Sequence, residues 1–190
     1  MQVEALSNER QKRKFEGVVL PHLGDALSLA RWITGSAADA EDVVQESAIK
    51  AFRALESLRD GQPKAWLLAI VRNTAFTWLA KNRPKSVVVT DDDQVFEKAE
   101  NHLFSEPRNG SAETELIERA DAEMLQRAIA ALPLTYREVL VLRDIDGMNY
   151  REIAGLINIP IGTVMSRLSR ARALLIESIG KAQSLESKVR

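Results

Sequence analysis

No cysteine occurs among the 190 residues. Disulfides, thiolate zinc sites, iron–sulfur clusters and thiol nucleophiles are therefore excluded from this chain. Only two histidines are present, His22 and His102, too far apart in sequence to suggest a His-based triad or a His-rich metal centre. No apolar run approaches the roughly 18 residues of a membrane span, and the charged opening MQVEALSNERQKRK is unlike a signal peptide, so a cytoplasmic protein is expected. Phosphate loops, dinucleotide fingerprints and nucleophile elbows are missing as well. The sequence thus predicts no catalytic residue, no metal and no cofactor. What is there is an ordinary globular composition, 45% hydrophobic and 28% charged, long enough for one domain or two small ones.

The net charge of −1 conceals a segregated pattern. Residues 1–86 hold 13 Lys/Arg against 10 Asp/Glu, residues 87–123 hold 3 against 11, and residues 124–190 hold 10 against 6. Two mildly basic blocks flank an acidic stretch, the arrangement of two polyanion-binding modules on an acidic tether. The middle reads as a linker by composition. Val87-Val88-Val89-Thr90 is followed by Asp91-Asp92-Asp93 and, later, by the turn-rich Ser105-Glu106-Pro107-Arg108-Asn109-Gly110-Ser111. Helix becomes possible again from Ala112.

Both basic blocks carry helical periodicity. In the first, one helix is expected over about Phe15 to Thr34. A second is capped by Ser36 or Asp39, with acids Asp39, Glu41 and Asp42 in its first turn and an apolar stripe of Val44, Ala48, Phe52 and Leu55. A loop over Leu58–Lys64 precedes a third helix, about Ala65 to Ala80, in which Trp66, Phe76 and Trp78 are expected to pack inward. The fold class predicted is all-α: two small helical domains, 1–86 and 124–190, joined by an acidic flexible linker, 87–123.

The second block carries the sharper local signal. Asn149-Tyr150-Arg151-Glu152 is a capping box, with Met148 and Ile153 placed as its hydrophobic staple. The helix it opens should run to Ile157, end at Asn158-Ile159-Pro160, and be followed by another from about Ile161–Thr163 to Ile176. This is a helix-turn-helix pattern. On a helical wheel Val164, Leu168, Ala171 and Leu175 form the apolar stripe. Ser166, Ser169, Arg170 and Ala173 lie opposite, suited to base edges, with Arg167 and Arg172 on the flanks where phosphates of a groove would be. Asp144 and Asp146 read as a loop before this unit.

Taken together, these stretches resemble the bacterial group 4 (extracytoplasmic-function, ECF) sigma factors of RNA polymerase. Asp39-Ala40-Glu41-Asp42-Val43-Val44-Gln45-Glu46 through Phe52-Arg53-Ala54-Leu55 resembles region 2.2. Trp66-Leu67-Leu68-Ala69-Ile70-Val71-Arg72-Asn73 through Arg83-Pro84 resembles regions 2.3 and 2.4. Leu132-Pro133 through Tyr136-Arg137-Glu138, then Tyr150-Arg151-Glu152-Ile153-Ala154 and Gly162 through Arg172, resembles region 4. All three occur in the family's order.

The resemblance implies partners and roles. Region 2.2 docks on the clamp helices of the polymerase β′ subunit, which makes Asp42, Gln45, Glu46 and Arg53 the candidates for core binding. Regions 2.3 and 2.4 read and open the −10 element. Asn73 can read a flipped base edge, while Arg59, Lys64, Arg72, Lys81 and Arg83 can neutralise phosphates. Region 4 binds the −35 duplex and the β flap. Met165, Ser166, Ser169 and Arg170 then face the groove, while Arg137, Tyr150, Thr163, Arg167 and Arg172 fix the backbone. Met165 stands where many relatives carry Lys or Arg, exchanging a guanine contact for an apolar surface suited to a thymine methyl. An anti-sigma factor is expected as a further partner, and the linker acids would imitate phosphates or simply keep the linker extended. The competing reading is a conventional helix-turn-helix regulator with an N-terminal sensing domain.

Overall fold

The computed structural model describes residues 2–58, 62–82 and 112–189, with side chains over 9–58, 62–82, 120–181 and at Ser184. Arg59, Arg83 and the acidic stretch before Ala112 lie outside the described residues. Among the described residues eight α-helices follow one another: α1 Gln2–Val19, α2 Leu23–Thr34, α3 Ala37–Arg53, α4 Pro63–Asn82, α5 Ala112–Ala130, α6 Leu134–Leu140, α7 Tyr150–Ile157 and α8 Ile161–Val189. No strand occurs among the described residues, in accord with the all-α expectation.

In the first block α2, α3 and α4 pack on one another. The single helix expected over Phe15–Thr34 is in fact two, because Pro21 cannot donate a backbone hydrogen bond and the chain tightens into a 3-10 turn over Leu20–His22. Gly35 then ends α2 in the left-handed conformation at φ 73°, where a side chain would be strained. Ser36 is the N-cap of α3, its hydroxyl accepting from the Asp39 amide at 3.4 Å. Asp39 in the first turn and Lys50 and Arg53 in the last suit the two ends of the helix dipole.

The buried face of α3 is not the expected stripe. It is Ala40, Val43, Ser47 and Ala51, with Val44 and Ala48 only half-buried. Small residues let the neighbouring helices approach closely, and the Ser47 hydroxyl is satisfied by Val43 O at 2.6 Å, so a polar residue sits at the centre without penalty. Helix α4 runs a turn beyond its expected limits and opens on Pro63, whose missing amide costs nothing at a helix start. It buries Leu67, Leu68, Val71, Thr74, Ala75 and Leu79. Each large side chain among them contributes about 1.5–3 kcal/mol of burial. Trp66, Phe76 and Trp78 pack half-buried against that core.

In the second block α6 leads into a π-helical turn over Val141–Ile145, closed by Asp146 N to Val141 O at 2.9 Å. Of the two residues read as a loop, Asp144 is therefore helical, while Asp146 stands in the bend that follows and is buried. The capping box at Asn149 is fully formed: its Oδ1 accepts from the amides of Arg151 and Glu152, both at 3.0 Å, and Glu152 accepts from the Asn149 amide at 2.8 Å. Met148 and Ile153, the staple pair, are both buried. Asn158 caps α7 at φ 56°, a conformation asparagine tolerates better than most residues. Pro160 follows it, and its carbonyl accepts from the amides of Thr163 and Val164 to start α8. That helix continues to Val189, well past Ile176.

The two blocks share one hydrophobic core. α2 packs on α6, and α4 packs on α7.

Candidate nucleic-acid and polymerase interface

Three groups of side chains were expected to carry function, and the fold treats them differently. The first group, on α3, is fully presented. Asp42, Gln45, Glu46 and Arg53 are all exposed, on the side of α3 opposite its buried face. At 100° per residue they span an arc of about 100°. Glu46 meets Lys50 at 2.8 Å, and that hydrogen bond holds its carboxyl below the usual range. In the middle of this polar arc stands Ile49, 54% exposed. Sequence reasoning missed it. The signal was available, since position 49 lies seven residues, two helical turns, beyond Asp42 on the same face.

The second group, on and before α4, is largely engaged. Arg72 donates from Nε to Glu138 Oε1 and from Nη2 to Glu138 Oε2 at 3.5 Å. Its guanidinium also lies 4.6 Å from the Phe76 ring centroid. Glu138 is 2% exposed. Burial raises its carboxyl above the ordinary range even though Arg72 pulls the other way. Lys64 meets Asp25 Oδ2 at 3.1 Å and donates to the backbone oxygen of Asp146 at 2.8 Å. Two of the five cations expected to neutralise −10 phosphates are thus occupied by acceptors that include the second block. Asn73 and Lys81 are exposed. Asn73 accepts weakly from Arg72 at 3.4 Å.

The third group lies on the helix-turn-helix. Val164, Leu168 and Ala171 are buried, as their wheel position requires. Met165, Ser166, Ser169, Arg170 and Arg172 are all exposed along the other side of α8. Ser166 Oγ donates to Thr163 O at 3.0 Å, and Arg170 Nη1 reaches the Tyr136 hydroxyl at 3.5 Å. Arg172 forks onto Asp144 at 3.1 and 2.6 Å. That fork fixes the guanidinium at the flank of the helix at a stability gain of at most about 1 kcal/mol, since both partners are exposed. Thr163, Arg167 and Tyr150 are half-buried, the last with the Arg143 guanidinium 5.0 Å from its ring centroid.

Arg137 is the residue whose place departs most from its expected role. Nη1 donates to Trp32 O at 3.0 Å, and Nη2 donates to Ala130 O and to Leu132 O at 2.9 Å. The Trp32 and Ala130 carbonyls belong to the last turns of α2 and α5, where carbonyls have no partner within the helix and the dipole is negative. One guanidinium therefore closes two helix ends and ties the blocks together. In this conformation it faces protein, not a phosphate.

No described helix is long and apolar enough to cross a membrane, and the described residues hold no group of three or more acidic or histidine side chains able to grip a metal ion.

Comparison with known proteins completes the site. The model of sigma-70 region 2 matches residues 18–85, and that of sigma-70 region 4 matches residues 122–175. The chain is 40% identical to the ECF RNA polymerase sigma-E factor of Salmonella typhimurium over 139 residues, 70% of each chain. It is 36% identical to the RNA polymerase sigma-H factor of Pseudomonas aeruginosa over 175 residues, 90% of this chain and 86% of that one. Among solved structures it is similar to a sigma factor RpoE in complex with the anti-sigma factor NepR from Bartonella quintana, with a TM-score of 0.69, 29% identity, and coverage of 87% of this chain and 96% of that one. It is also similar to CnrH in complex with the cytosolic domain of CnrY, with a TM-score of 0.60, 26% identity and 90% coverage of both.

Proposed function

The chain belongs to the sigma-70 family as an ECF-type sigma factor, and on that footing we propose how its own residues divide the work of starting transcription. The exposed arc of α3, Asp42, Gln45, Glu46 and Arg53 around Ile49, docks on the β′ clamp helices of core RNA polymerase. A central apolar side chain rimmed by polar ones is the usual anatomy of a specific protein interface. Helix α4, with Asn73 as base reader and Arg72, Lys64, Lys81, Arg59 and Arg83 as phosphate partners, holds the melted −10 strand. Helix α8 enters the major groove of the −35 element. Met165, Ser166, Ser169 and Arg170 face bases, Thr163, Arg167, Arg172 and Tyr150 hold the backbone, and the second block also meets the β flap.

The observation that carries this reading is α8 itself. Its buried stripe of Val164, Leu168 and Ala171 is fully used for packing. Its exposed side therefore presents short hydroxyls, an arginine and a thioether over little more than one helical turn, which is a surface for base edges and a methyl group. Family sigma factors are non-enzymatic initiation factors. This one would act in the cytoplasm through core polymerase, with residues 1–86 and 124–190 as its two working modules and 87–123 as the tether. Because the solved relative RpoE is in complex with an anti-sigma factor, a comparable inhibitor is proposed here.

The test is run-off transcription with purified core polymerase on a library of genomic promoter fragments. Initiation that depends on the protein, and that falls when Asn73 or Arg170 is changed to alanine, is the expected result. A folded protein that binds duplex DNA but neither binds core nor stimulates initiation would refute the reading.

A further inference from the structure

The contact between the two blocks holds a charged group in an unusual setting. Asp146 is 8% exposed, and its buried Oδ2 accepts no hydrogen bond from any described residue. Its backbone oxygen is taken by Lys64 of the first block, whose ammonium is shared with Asp25 at 3.1 Å. Asp25 in turn faces His22 Nδ1 at 3.7 Å. The charged groups acting on the Asp146 carboxylate are thus Lys64 from α4, which favours its ionised form, and Asp25 from α2, which opposes it. A second buried carboxylate, Glu138, crosses the same contact to Arg72, with Arg167 of α8 also in its field.

We propose that this contact is an acid-tightened clasp: closing the two blocks takes up a proton on the buried carboxylate of Asp146, and the closed form withholds Arg72 and Lys64 from DNA. The second clause rests on the −10 role proposed above; the first does not.

The direction follows from where the carboxyl titrates in each form. In the closed molecule burial pushes Asp146 up to about 7, with Lys64 pulling down and Asp25 pushing up. With the blocks apart the group is hydrated and titrates in the ordinary carboxylate range, about 4. Between those two values the closed form carries a proton the open form lacks. The advantage of closing is therefore fully present below the ordinary value, shrinks as pH rises, and is gone above about 7. From pH 8 to pH 6 the closed-to-open ratio rises about tenfold from this one group. Glu138, also raised by burial, works in the same direction.

The absence of cysteine makes the test direct. Cysteines introduced at Ala38, at the exposed start of α3, and at Lys181, exposed on α8, carry a fluorescent donor and acceptor. Energy transfer in the full chain is followed from pH 6 to 8 without DNA or polymerase. The expected result is higher transfer at low pH, the rise setting in as pH falls through about 7 in the wild type. In Asp146→Asn, where a neutral amide replaces the titrating group, the transfer should stay high and flat. If Asp146→Asn does not fold, Asp25→Asn provides the second reading, since removing its negative charge moves the centre to lower pH. A flat wild-type profile, an Asp146→Asn profile that matches the wild type, or an unmoved centre in Asp25→Asn would each overturn the clasp. Closure is read here with no transcription partner present, so a failure of the proposed DNA role would appear only in the run-off assay and not in these curves.

Discussion

The pairing of Arg72 with Glu138 makes a sharp energetic prediction, because it joins residues 66 apart and one partner is almost wholly buried. Changing Arg72 to glutamine leaves Glu138, at 2% exposure, without its counter-ion. An uncompensated buried charge costs about 3–5 kcal/mol. The protein can escape part of that cost by protonating Glu138, which burial already favours, or by parting the blocks so that water reaches the carboxylate. Arg72→Gln should therefore destabilise the protein by about 2–4 kcal/mol at pH 8 and by less at pH 6. Glu138→Gln should cost less, because the amide oxygen still accepts from Arg72 and the guanidinium keeps Phe76 and some contact with water. With both changed, two neutral amides face each other and much of the loss is recovered, giving a coupling of about 1–3 kcal/mol. The assay is urea denaturation of the four proteins at the two pH values, with the radius of gyration by X-ray scattering as a check on whether the blocks have parted. Additive single effects, or an Arg72→Gln cost that does not change with pH, would refute the reasoning.

The other sites predict effects of distinct kinds. Ile49→Glu should weaken binding to core polymerase by about 30-fold or more, the loss of roughly 2 kcal/mol expected for a central apolar anchor. The melting temperature should stay nearly unchanged because the side chain is already exposed; binding within threefold of wild type would remove Ile49 from the interface. Asn149→Ala removes the amides' acceptor at the start of α7 and should cost about 1 kcal/mol, read as a lower thermal midpoint. An unchanged midpoint would mean that Glu152 and the buried Met148 hold the turn unaided. Arg172→Ala should cost under about 1 kcal/mol of stability, since its ion pair with Asp144 is exposed. The same change should reduce the slope of log affinity against log salt on duplex promoter DNA by about 0.9, the value of one lost phosphate contact. An unchanged slope would mean that the residue only braces the π-helical turn.

What could be read from the sequence was what short-range rules govern. The capping box at Asn149 was legible because it is a four-residue device, and it is present atom for atom. The inward face of α8 was legible because Val164, Leu168 and Ala171 repeat at helical spacing with Ser166, Ser169 and Arg170 opposite them. The face of α3 was misjudged for a physical reason. The pattern weighed side-chain size, so Val44, Phe52 and Leu55 drew the stripe; Leu55 is buried, but within α3 close packing of three helices selected Ala40, Ser47 and Ala51. Pro21 was passed over because the apolar period continues across it, although its missing amide divides the helix. Ile49 escaped notice for the opposite reason, an apolar residue standing among polar ones on a face assumed to be solvated.

The joining of the two blocks lay beyond such rules, since no local pattern pairs Arg72 with Glu138 or Lys64 with Asp146. One trace of it does exist. In the run from Leu132 to Leu142 the only charged residues are Arg137 and Glu138, two adjacent charges of opposite sign inside a largely apolar segment. Charges in such a place require partners brought from elsewhere. The structure supplies them in part from the first block: the Trp32 carbonyl at the end of α2 for Arg137, beside the second block's own Ala130 and Leu132 carbonyls, and the guanidinium of Arg72 for Glu138. The partner of Glu138 is a cation assigned above to the −10 phosphates. In the proposed −10 role, the acid that stands in for those phosphates is thus carried by the second block itself, and DNA would displace it from Arg72. Glu138→Gln should accordingly raise affinity for a single-stranded −10 oligonucleotide while leaving the −35 duplex affinity unchanged, measured by fluorescence anisotropy on the full chain. Equal effects on both ligands would show that Glu138 acts on the whole molecule's charge and not on Arg72.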